Sequence, residues 1–147
     1  MKKTILTLAV VAITLGSTAF AGEINVDKRV RRAFEKEFAG AVDVKWSTCE
    51  DYIKVDFSLN DVVLIACYNA EGEKLAVIRN IQFSILPLVL QFDQKKHFPD
   101  YWVSQLFELV NEGGTHYYLT LENANQKIQL VSHGSSEWEL VRKDENN

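Results

Sequence analysis

Two segments with apolar residues near every fourth position interrupt a chain that otherwise alternates apolar and polar residues. The first runs over residues 27–38. Val26, Val30, Phe34 and Phe38 share one side with Ala33 beside them, and charged residues fill the rest. This pattern predicts an amphipathic helix, with Asn25 or Asp27 to cap its start and Gly40 to stop it. Residues 42–48 (VDVKWST) then alternate as a strand, with Val42, Val44 and Trp46 on one side.

Residues 52–79 carry three more strands. Asn60-Asp61 is a two-residue loop whose side chains tolerate positive φ, so it closes a tight hairpin. Asn69-Ala70-Glu71-Gly72 provides a second turn, with Gly72 in the left-handed region. The first loop fixes the register: Leu59 faces Val62, and Lys54 faces Cys67. Ile53, Val55, Phe57, Leu59, Val62, Leu64, Ala66 and Tyr68 thereby form one face. Tyr52, Lys54, Asp56, Val63, Ile65 and Cys67 form the other, with Leu75 and Val77 beside them. That second face should meet water, yet much of it is apolar, so it is either covered or meets a partner.

Residues 80–98 form the second helical segment. Ser84 is the expected N-cap, Pro87 falls in the first turn, and Ile85, Leu86, Val89, Leu90 and Phe92 make a broad apolar face. Pro99 blocks its continuation. Strands follow at 102–110, 115–122, 127–133 and 137–142, with a polar, frayed tail at 143–147. Tyr117, Leu119, Leu121, Ile128, Leu130, Trp138 and Leu140 fit one face; Tyr118, Thr120, Gln129 and His133 fit the other. Helix followed by four strands thus occurs twice, at an interval of roughly 60 residues. Phe38-Ala39-Gly40-Ala41 before VDVKW echoes Phe98-Pro99-Asp100-Tyr101 before WVSQL. The expectation is an α+β fold made of a tandem pair of helix-plus-four-stranded antiparallel units, 22–82 and 83–147, within one domain.

Residues 1–21 alter the charge count. Lys2 and Lys3 precede an apolar run at 5–15, and Ala19-Phe20-Ala21 ends it with small residues, the pattern of a cleaved export signal. The whole chain has 16 basic and 20 acidic residues; without the two leading lysines the balance is 14 against 20, a net charge of −6. An acidic chain lacking a basic stripe argues against a nucleic-acid partner, and no later apolar stretch is long enough to insert into a membrane. The predicted location is periplasmic or secreted.

An oxidising compartment permits a disulfide between Cys49 and Cys67. The hairpin register opposes it, because Cys49 falls five residues, roughly 16 Å of strand, back from the partner of Cys67. Bonded cysteines have Cα atoms within about 7 Å, so free thiols are expected. His97, His116 and His133 lack metal-site spacing, although His116 and His133 could approach on adjacent strands; no metal or cofactor is predicted. No nucleophile elbow and no glycine-rich phosphate loop is present, so no catalytic residue is assigned.

Phe34-x-x-x-Phe38 before VDVKW, then Tyr52, YNAEGEKLAVIRNI, Leu86-Pro87 and YYLTLEN resemble the small exported bacterial family called PepSY-like or β-lactamase-inhibitor-like. The resemblance spans nearly all of residues 22–147. It implies the tandem α/β fold of the β-lactamase inhibitory protein, with a concave sheet surface that grips a partner. No inhibitory motif carries over to particular residues, and His97 and Cys67 depart from the family pattern. The predicted function is therefore a non-catalytic binding module that contacts a protein or peptide through Tyr52, Val63, Ile65, Cys67, Tyr118 and His133. A small-ligand carrier or enzyme with a pocket between helix and sheet is the alternative.

Overall fold

The computed structural model describes residues 24–134 and 136–146. The export signal proposed for 1–21 lies outside them. Helix α1 (Lys28–Glu37) forms where the four-residue period lies, and Asp27 caps it by accepting from the Arg29 N–H at 2.8 Å. Strands β1 (Val42–Thr48), β2 (Ile53–Leu59), β3 (Val62–Tyr68) and β4 (Lys74–Asn80) follow. A 3₁₀ turn (Phe83–Ile85) leads to α2 (Leu88–His97), and β5 (Trp102–Asn111), β6 (Gly114–Glu122), β7 (Gln126–Ser132) and β8 (Glu139–Glu145) complete the described order.

All eight strands join in one antiparallel sheet in chain order, with β4 paired directly to β5. Asn60 and Asp61 take φ values of 51° and 64°, so the β2–β3 hairpin closes as expected, with Leu59 opposite Val62 and Lys54 opposite Cys67. Gly72 has φ +86° and its N–H donates to the Asn69 carbonyl at 3.1 Å. Both cysteines are free thiols.

Pairing register puts both helices on the same face. Phe57 aligns through Leu64, Arg79 and Glu108 with Tyr117, and Glu108 shares its side of β5 with Leu106. Under α1, Val30 and Phe34 bury against Val55, Phe57, Ala66 and Tyr68; Phe34 sits edge-on to Phe57 at 4.9 Å and to Trp46 at 5.2 Å. Under α2, Leu86 and Leu90 bury against Leu106, Leu119, Leu121, Ile128 and Leu130. Both helices end alike. The Phe38 N–H donates to the Phe34 carbonyl and the Phe98 N–H to Gln94, each at 2.8 Å, and Ala41 and Tyr101 then donate to Phe38 and Phe98.

Four expectations require correction. Asn80 belongs to β4, and α2 begins only at Leu88 with Pro87 as N-cap rather than Ser84. Ile85, Val89 and Phe92 point to solvent, 58%, 55% and 65% exposed, because the inward stripe is Leu86, Leu90 and Gln94. Val77 lies on the helix face opposite Ala66; a bulge at Cys67–Tyr68 brings Ala76 and Ile78 to the other face. Residues 143–145 extend β8, with Asp144 opposite Lys127, rather than fraying.

Candidate functional site

The face opposite both helices has an apolar centre of its own. Ile65 and Cys67 of β3, Ala76 and Ile78 of β4, and Phe107 and Leu109 of β5 are buried together, with Tyr52, Leu75 and Tyr118 packed against them. Strand pairing explains the assembly: Ile65 faces Ile78, Ile78 faces Leu109, Cys67 faces Ala76, and Phe107 faces Tyr118. Six apolar side chains from three neighbouring strands therefore fall side by side.

Tyr52 stands at the foot of β2. The Cys49 N–H donates to its carbonyl at 2.8 Å, closing the β1–β2 turn and holding the tyrosine beside Cys49. A hydrogen bond with the Cys49 thiol, then burial, raises the Tyr52 hydroxyl pKa far above its ordinary value. Burial first, with Cys49 adding, pushes the Cys67 thiol up to about 11. At neutral pH Cys67 is thus a protonated apolar side chain and a poor nucleophile. Tyr118 is also raised by burial. Lys54 and Asp56 form an ion pair at 3.2 Å on this face.

At the β6–β7 end, His116 Nδ1 lies 2.9 Å from His133 Nδ1, and His116 Nε2 lies 3.2 Å from Asn111 Oδ1. Burial, then the neighbouring His133, lowers the His116 pKa. Among the described residues no group of three or more His, Cys, Asp or Glu gathers in metal-binding fashion.

Of the six residues expected to contact a partner, Tyr52, Ile65, Cys67 and Tyr118 come together here. Val63, 63% exposed, and the exposed His133 stay outside that cluster. Ile65 and Cys67 correct the expected exposure, at 9% and 3%, because β4 and β5 supply apolar neighbours on the same face. Sequence reasoning missed Ala76, Ile78, Phe107 and Leu109. The first two are hidden by the bulge, and the last two join only through the long-range β4–β5 pairing. The alternation of β5 alone could have marked Phe107 and Leu109 as one face.

No described helix is long and apolar enough to cross a membrane. No protein-family model matches the sequence, and no curated protein matches it. Among solved structures, the chain is similar to a candidate periplasmic protein from Bacteroides eggerthii DSM 20697, at 15% identity and a TM-score of 0.72, over 82% of this chain and 88% of that one. It is also similar to a BLIP-like protein from Bacteroides fragilis NCTC 9343, at 19% identity and a TM-score of 0.68, over 84% and 89%. A DUF2874 family protein from Bacteroides uniformis ATCC 8492 aligns at 15% identity and a TM-score of 0.71, over 81% and 88%. The fold is therefore BLIP-like: two helices on one face of an eight-stranded antiparallel sheet.

Proposed function

We propose that this chain is an exported, non-catalytic binding module of the PepSY-like kind, which grips a protein or peptide through its helix-free sheet face. One observation carries the reading: Tyr52 and Tyr118 lean on an apolar cluster that lies on the face away from both helices. Half-buried tyrosines over a dry centre supply rigid area with a polar tip, the makeup of interface anchors. Val63 adds exposed apolar surface, and Lys54, Asp56 and His133 give a polar rim. Ile65 and Cys67 act from beneath, as the floor on which the tyrosines rest.

Residues 1–21 serve as the export signal, and 22–147 form one domain of two αβ4 units, 22–82 and 83–147. The matching helix ends at Phe38 and Phe98 support that duplication. The alternative, a carrier or enzyme with a pocket between helix and sheet, is less well supported. Aromatic and aliphatic side chains make up both buried helix–sheet clusters, Gln94 is the buried polar side chain on α2, and the open groove between α1 and β1 carries Arg31 and Glu35 as exposed groups. A functional interior pocket would place at least two ionisable groups there, whereas under α1 the buried titratable side chain among the described residues is the Tyr68 phenol.

Site-specific photo-crosslinking tests the reading. A photoreactive residue at Val63 should yield a discrete adduct in the cell envelope, whereas one at Arg32, on the outer face of α1, should not. The adduct partner, once purified, should bind the parent protein and lose affinity for Val63→Asp. Adducts from Arg32 alone, or equal affinity for Val63→Asp, would reject the sheet face. Intact mass of the exported product should begin at Gly22.

A further inference from the structure

The β6–β7 histidine pair has a feature that the binding-face reading does not use. His116 lies one position beyond the Tyr117–Ser132 pair, which sets it directly across from His133. The hydrogen bonds around it define its protonation. The Gly113 N–H, an unambiguous donor, points at Asn111 Oδ1 at 2.8 Å and so fixes the amide orientation. His116 Nε2, 3.2 Å from the same oxygen, must then be the protonated nitrogen. Nδ1 of the neutral ring carries a lone pair, directed at His133 Nδ1 2.9 Å away. A second group that holds the remote ring N–H and frees the other nitrogen is the arrangement that prepares a histidine for a metal.

Donor chemistry then selects the cation: two imidazole nitrogens completed by water oxygens make a mixed N,O set, which tetragonal Ni²⁺ and Cu²⁺ favour. The 2.9 Å between the Nδ1 atoms is a hydrogen-bond distance, close enough that rotating the two rings turns both lone pairs onto one cation. We propose that His116 and His133 form a two-histidine clamp for a tetragonal divalent cation of the Ni²⁺ and Cu²⁺ class, bound through both Nδ1 atoms. Water fills the remaining equatorial positions. On binding, His133 carries its proton on Nε2 instead of Nδ1, so the neutral pair keeps both protons and offers two lone pairs. Asn111 positions His116 and does not touch the metal.

Ni²⁺ is the suitable probe, because Cu²⁺ would oxidise Cys49. Calorimetric titration of the purified protein with Ni²⁺ should show one site. Holding two ligands together multiplies affinity by about 100-fold or more, and His116→Gln or His133→Gln should each lose that factor while His97→Gln keeps the parent affinity. Asn111→Ala should weaken binding about tenfold, and Asn111→Asp, which retains the acceptor, should restore it. In the parent protein, paramagnetic Ni²⁺ should broaden the imidazole ¹⁵N signals of His116 and His133 and leave those of His97 unchanged. Parent-like affinity in either His→Gln variant, loss of the site in His97→Gln, or metal-induced change at the His97 ring alone would overturn the clamp.

Discussion

Helices α1 and α2 each have 10 residues and lie on the same sheet, yet they treat water oppositely. On α1 the outward positions are Lys28, Arg29, Arg31, Arg32, Glu35 and Lys36, all exposed, while Val30 and Phe34 are buried. On α2 the outward positions include Leu88, Val89 and Phe92, at 65%, 55% and 65% exposure, while a glutamine, Gln94, is buried. Gln94 is tolerated because its amide donates to the Phe98 carbonyl at 3.1 Å, satisfying a group at the helix end. Trp138 ties down the α2 backbone: its indole N–H donates to the Leu90 carbonyl and its backbone N–H to Asp93, whereas α1 is reached by an exposed ion pair, Lys74–Glu37, at its last turn. The comparison teaches that α1 is held by the segregation of its own side chains, whereas α2 is held by what other segments bring to it.

Paired truncations on the two helices should break or sharpen this contrast most. Phe34→Ala empties the aromatic cluster under α1 and is expected to cost about 3–5 kcal/mol. Phe92→Ala removes a ring of the same size from α2, and being exposed it should shift stability by no more than about 0.5 kcal/mol. Denaturant midpoints of the two variants measure both. Equal losses would mean that exposure on α2 does not describe the folded protein in solution.

The turns differ next. Gly72 combines φ +86° with a close approach: a Cβ there would stand 3.1 Å from the Arg29 carbonyl oxygen of α1. Gly134, at φ +129°, has open space around the same position. Gly72→Val should therefore cost about 1–3 kcal/mol from the dihedral alone, with displacement of the α1 backbone in addition. Gly134→Val carries only the dihedral penalty and should be the milder change. The order of their thermal midpoints decides.

What could be read from the sequence follows the same division. Helix α1, the β2–β3 register and the Gly72 turn depend on contacts within short stretches, and each shows in the alternation or the turn residues. On α2 the pattern shows a broad apolar face that includes the inward Leu86 and Leu90 but also the exposed Ile85, Val89 and Phe92, because a polar Gln94 sits where a third apolar residue would narrow it. Part of the candidate site was equally hidden. Tyr52, Ile65 and Cys67 follow from one hairpin register, but their burial depends on Phe107 and Leu109, some 40 residues away and joined only through β4–β5. The approach of His116 and His133 was legible as a possibility; their hydrogen-bonded geometry required the turn at Asn111.

The smallest expected effect separates the two helix starts. Asp27 caps α1, and the Arg29 side chain first, then its backbone N–H, holds the carboxyl below the ordinary aspartate value. Pro87 offers α2 no side-chain cap and no charge. An acid with a depressed folded pKa binds more protons when unfolded, so its contribution is fully present above the unfolded value and is lost as pH falls through the folded one. Asp27→Asn retains a capping oxygen but removes the charge. The stability gap between parent and variant should be constant near neutrality and shrink between about pH 5 and about pH 2. Because Asp27 and Arg29 are both well exposed, salt should narrow the gap as well. A gap that stays level through the acid range would show that α1 is capped by the oxygen alone, and that the charges at its start do no more than those missing from α2.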